Sequence, residues 1–181
     1  MNNDNEIHAN FSNVVALAKE EDSRVYGTGL WRVCHRLAAA RYPPAKEFFI
    51  KELDDPRWDW REVSISLLGF HFELETEVLN KIRKMAINDV DDGVKLAAIA
   101  IIGSRGKLPE PVLLHSLRKG SNQLIKEAAF SAILELCKLP YKIKINEIQK
   151  LRNGKMTPDL ELIRNILIRE NLNSCLELLG E

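Results

Sequence analysis

The chain has 181 residues, 45% of them hydrophobic and 29% charged, enough apolar material for one domain with a continuous core. Its 26 basic side chains balance 26 acidic ones. No global field therefore recruits nucleic acid or an anionic membrane, and any electrostatic partner must read a local patch.

The start, Met-Asn-Asn-Asp-Asn-Glu, lacks the basic and apolar stretches of a signal peptide, and no run approaches the ~18 apolar residues of a membrane span. A cytoplasmic protein with reduced thiols is the expectation. Phe11 to Lys19 reads as a capping helix. Four ten-residue blocks then align without gaps, beginning at Trp31, Trp60, Val94 and Ile125, with starts 29, 34 and 31 residues apart. That period suits a pair of short helices. The blocks share a basic second position (Arg32, Arg61, Lys95, Lys126). The last two carry alanine pairs, Ala97-Ala98 and Ala128-Ala129, whose small size permits close helix approach.

A second amphipathic segment precedes three of the blocks: Ala45 to Leu53, Glu77 to Ile87 and Glu110 to Arg118. The spacing of Val78, Leu79, Ile82, Met85 and Ala86 follows 3.6 residues per turn and predicts helix. Pro43-Pro44, Pro109 and Pro111 stand where helices should begin, and Gly106, Gly120 and Gly154 where they should end. Beyond Pro140 the pattern weakens to an outer segment, Ile143 to Leu151, and an inner one, Pro158 to Arg169, which lacks the alanine pair.

The run from Asp54 to Gly69, with Asp54-Asp55-Pro56, Arg61 and Leu67-Leu68-Gly69, resembles the HEAT-repeat consensus in its short bacterial form. So does Asp91 to Gly103, with Asp-Asp-Gly-Val-Lys-Leu-Ala-Ala. The resemblance covers Ala45 to Leu139 well and Val25 to Arg41 loosely. It implies an all-α fold, a right-handed α-α superhelix of about four helix pairs with atypical end caps. Residues 1–42 would form an N-terminal cap and degenerate repeat, 43–139 the clear repeats, and 140–181 a C-terminal cap, in one domain.

No glycine-rich phosphate loop occurs. The four histidines, His8, His35, His71 and His115, are far apart in sequence and unpaired at helical spacing, so structural or solvated roles are expected and no metal or other cofactor. Cys34, Cys137 and Cys175 are odd in number, widely spaced and set among apolar residues, as buried inert thiols are. One HEAT-like family comprises alkylpurine DNA glycosylases, and Trp58, Asp59 and Trp60 offer an aromatic and an acid of the kind a flipped base requires. An inter-repeat turn accounts for the same residues, with Asp59 capping the next helix and Trp60 filling core. Phycobilin lyases also contain such repeats, but no chromophore-handling constellation accompanies them here.

The resemblance therefore implies a non-enzymatic module that binds another protein, monomeric when free. From Glu47 to Asp92 there are twelve acidic residues against six basic, and from Arg105 to Lys155 eleven basic against four acidic. An acidic half suits a partner with a basic contact surface. One such role is an immunity protein occluding a toxin's active-site surface; another is an adaptor or regulatory subunit. If Val94, Ala98 and Ile101 face the core, Leu96 and Ile99 point elsewhere. Their equivalents form two columns, Glu62, Leu96, Glu127 and Ile65, Ile99, Phe130. The columns serve either as packing between repeats or as an exposed ridge. In the second case the ridge is rimmed by Arg61, Lys95, Lys126 and the turn residues Trp58, Asp59, Asp91 and Asp92.

Overall fold

A computed structural model describes Phe11 and residues 29–106, 110–172 and 176–177. Among the described residues the regular elements are nine helices and no strand: α1 (Gly29–Ala39), α2 (Pro43–Glu52), α3 (Trp58–His71), α4 (Thr76–Asn88), α5 (Asp92–Arg105), α6 (Pro111–Lys119), α7 (Gln123–Leu136), α8 (Tyr141–Arg152) and α9 (Leu160–Arg169). The chain divides into two compact units, residues 1–79 and 80–181.

The four aligned blocks fall on α1, α3, α5 and α7, each helix starting two residues before its block. The register is set by what the turns supply. Asp91 stands three residues before Val94 and accepts a hydrogen bond from its amide at 3.1 Å; Asn122 does the same for Ile125 at 3.0 Å, and Asp159 for Leu162 at 2.7 Å. Each side-chain oxygen satisfies an amide that the first helical turn leaves unpaired. At the equivalent position before Trp60 stands Arg57, without a side-chain cap, and Asp55 accepts the Arg57 amide instead at 2.9 Å. Asp59, expected as the cap, lies inside the first turn of α3 and accepts from the Trp60 amide. Asp91→Ala should cost about 1 kcal/mol in a urea titration, while Asp91→Asn should be close to neutral. Equal losses in the two variants would show that charge, not capping, matters there.

Helix ends follow a second rule. α5 and α6 stop at Gly106 and Gly120, as the glycines suggest, whereas α1, α7 and α9 are closed by Arg41, Lys138 and Asn171 at φ 53°, 55° and 57°. At Lys138 the amide donates to Glu135, and the next amide, of Leu139, reaches back to Leu134. The same pair of bonds recurs at Arg41 and Asn171, and at Gly154 after α8. This paired closure of the last carbonyls requires a left-handed residue, which glycine adopts most easily.

In the first unit α1, α2 and α3 pack on one another. Phe49 and Trp60 are fully buried, and Phe48 meets Trp60 edge to face at 5.7 Å. Phe11 places its ring 5.8 Å from Tyr42 and 5.7 Å from Phe48. The rest of the expected capping helix, through Lys19, lies outside the described residues, as do Pro109 and Cys175.

In the second unit α5 and α7 lie side by side, α6 and α8 pack on α7, and α9 lies against α6. α5 and α7 approach closely because Gly103 has no Cβ: one added there would stand 2.6 Å from Ala132 Cβ. Buried Ile99, Ile101, Ile102, Phe130 and Ile133 fill the space around this crossing. Among the described residues no helix is long and apolar enough to cross a membrane.

Candidate functional site

The expected interface residues separate into three groups. Ile65, Ile99 and Phe130 are fully buried, so that column is helix packing and offers no ridge to a partner. These helices are covered on more of their circumference than a single core-facing stripe suggests, so a residue opposite Val94 can still be inside.

The second group is occupied within the chain. Arg61, buried, donates from Nη1 to the carbonyls of Asp55 and Pro56 at 2.9 and 3.0 Å and knits its own turn. Asp91 caps α5. Asp92 accepts from Ser121 at 2.9 Å, from Asn122, and from Lys95 Nζ at 3.2 Å, tying the start of α5 to the turn before α7. The Ser121 hydrogen bond, followed by that of Lys95, holds its carboxyl below the usual range. Asp59 and Trp60 are buried in the first unit, so they present no open aromatic-acid pair, although Trp58 is 44% exposed.

Leu96, Lys126, Glu127 and Glu62 keep partial exposure. In the second unit a shallow open groove of about 330 Å³ runs between α5 and α7, walled by Ala100, Ser104, Ala128, Ser131 and Glu135 over the buried Ile99 and the contact of Gly103 with Ala132. Ala100 and Ser104 are exposed, and Ser131 half-buried. The accessible strip is thus one residue further along than the predicted column, Ala100 instead of Ile99 and Ser131 instead of Phe130. One residue is a rotation of about 100° on the helix. Small residues without reactive groups gave no sequence signal for it. In α3 of the first unit the position aligned with Ser104 is Phe70, 65% exposed.

The thiols and imidazoles complete the inventory. Cys34 and Cys137 are buried, and desolvation pushes the Cys34 thiol up to about 12, far from the thiolate form that reacts. His35 and His71, distant in sequence, meet edge to face at 5.2 Å between α1 and α3. Among the described residues no cluster of three or more His, Cys, Asp or Glu could hold a metal. Burial, then the charges of His35 and Arg41, lower the His71 pKa from 6.5. A depressed histidine pKa means that the unfolded chain binds the proton more readily, so stability present above pH 6.5 is lost as pH falls through the folded value. The urea midpoint should drop between pH 7 and 5, before the carboxylates titrate, and His71→Gln should flatten that slope. An unchanged slope would show that the imidazole pair does not set it.

Compared with protein-family models, with curated proteins and with solved structures, the chain matches none.

Proposed function

We propose that this protein is a non-catalytic binding module built from HEAT-like helix pairs stacked as an α-solenoid, and that it grips another protein through the groove between α5 and α7. The observation that carries this reading is the groove itself. Two sequence-equivalent helices stand side by side, their crossing is sealed by Gly103 and Ala132, and the outward strip is left, Glu135 apart, to the small residues Ala100, Ser104, Ala128 and Ser131. Such a channel accepts a ridge of side chains from a partner, and Leu96 on α5 and Glu127 on α7 keep partial exposure. The acidic excess of the Glu47 to Asp92 segment favours a partner with a basic contact surface. Asp91 and Asp92 already have their oxygens engaged, whereas Glu47, Glu73 and Glu77 of the first unit are exposed. Toxin neutralisation by occlusion is one form such binding would take; an adaptor or regulatory role is another.

The test is capture from the native host with wild-type bait and with Ala100→Trp, which fills the groove from an exposed position and so spares the core. One dominant protein should be retained by the wild type, and its affinity should fall roughly tenfold or more in the variant, a loss of about 1.4 kcal/mol. Equal capture by both baits would move the interface elsewhere.

A further inference from the structure

Beyond the groove, the geometry points to a second site: a small cleft in the second unit, at the turn joining α6 to α7, that binds a phosphate-type oxyanion. The cleft encloses about 80 Å³ and is lined on its polar side by Lys95, His115, Ser116, Lys119 and Ser121. That is room for several waters or for one four-oxygen anion.

The sign of the ligand follows from what the walls can give. Ammonium groups only donate hydrogen bonds, so they select an acceptor. Lys119 makes no ion pair among the described residues, and Lys95 has one, to Asp92 at 3.2 Å. Ser116 is 2% exposed, and its hydroxyl, closed to solvent, has no hydrogen-bond partner among the described residues. A buried polar atom left unpaired is uncommon in a folded protein, and a rotation of the Ser116 side chain toward the cleft would give its hydroxyl an anion oxygen as the missing acceptor. No carboxylate among the described residues lines the cleft, and the Asp92 carboxylate beside it is held by Ser121 and Lys95. The donors come from α5, α6 and the turn, three directions that suit a tetrahedral anion better than a planar carboxylate.

Gly120 keeps the turn tight. A Cβ there would lie 2.5 Å from the Ser116 carbonyl oxygen and 2.9 Å from Ile125, so only glycine lets the end of α6 and the start of α7 close the cleft. His115 and Lys119 also border a shelf of about 340 Å³ formed with Pro111, Leu114 and Arg118. The phosphate could therefore come from inorganic phosphate or from a monoester whose organic part lies on Leu114.

Calorimetry and thermal melts of the full chain with inorganic phosphate, phenyl phosphate, acetate and chloride at matched ionic strength test this. Phosphate should raise the melting temperature above its value in chloride or acetate. Tighter binding of phenyl phosphate assigns the monoester as the source; equal or weaker binding assigns free phosphate. Lys119→Gln and Ser116→Ala should each weaken binding about fivefold, roughly 1 kcal/mol, while Lys138→Gln should leave it unchanged. Ser116→Ala removes only an unpaired hydroxyl, so it should fold. Identical melts in phosphate and chloride, acetate as effective as phosphate, or undiminished binding in both variants would overturn the assignment.

Discussion

Ile99→Asp should unfold the second unit. Ile99 is fully exposed in no direction: its accessible surface is zero, and it sits where α5 crosses α7. Removing a buried isoleucine side chain costs about 2–5 kcal/mol. An unpaired carboxylate in the same place adds several kcal/mol of desolvation, or the work of protonating it. Against a total stability of about 5–15 kcal/mol for a typical domain, that sum removes most or all of the folded state. Ile99→Val, by contrast, should cost only about 1 kcal/mol. Far-UV circular dichroism with urea titration distinguishes the two. A folded, stable Ile99→Asp would mean that the column is surface after all.

Gly103→Leu comes second in expected effect. Replacing a helical glycine normally gains about 1 kcal/mol of helix propensity. Here the first added carbon would meet Ala132 at 2.6 Å and its Cα at 3.1 Å, and neither atom can swing aside as the tip of a long side chain could. Overpacking costs about 1–3 kcal/mol and occasionally more, so leucine should destabilise by about 3 kcal/mol and alanine by less. Ala132→Gly in the Gly103→Ala background should return part of the loss, although glycine alone at 132 is unfavourable. This coupling identifies the contact, because an additive pair would show that the two residues do not meet.

These two residues also mark how far the sequence could be read. The helices of the aligned blocks were legible to within two residues because Trp60, Val94 and Ile125 each begin an aligned run, and Asp91 and Asn122 cap theirs from the same offset. Helix ends at Gly106 and Gly120 were legible for the glycine itself. Those at Arg41, Lys138 and Asn171 were not, since nothing in an arginine or lysine announces a positive φ. The site was read less well. A helical wheel anchored on Val94 and Ala98 places Ile99 outside, but packing against α7 buries Ile99, Ile102 and Gly103 beyond that stripe. Part of the charged rim is occupied for a different reason: Arg61 and Asp92 are long or polar enough to bond turns of their own chain, and sequence does not reveal whether such a group is spent locally. His35 and His71 meet only because α1 packs on α3, a contact that no spacing in the sequence encodes.

The claim that the α5–α7 groove is the binding face is tested most directly by hydrogen exchange on the complex with the captured partner. Protection on binding should concentrate in residues 96–104 and 127–135, with little change in α8 and α9. Exchange through those two segments that is the same free and bound, with protection appearing on other helices, would contradict it.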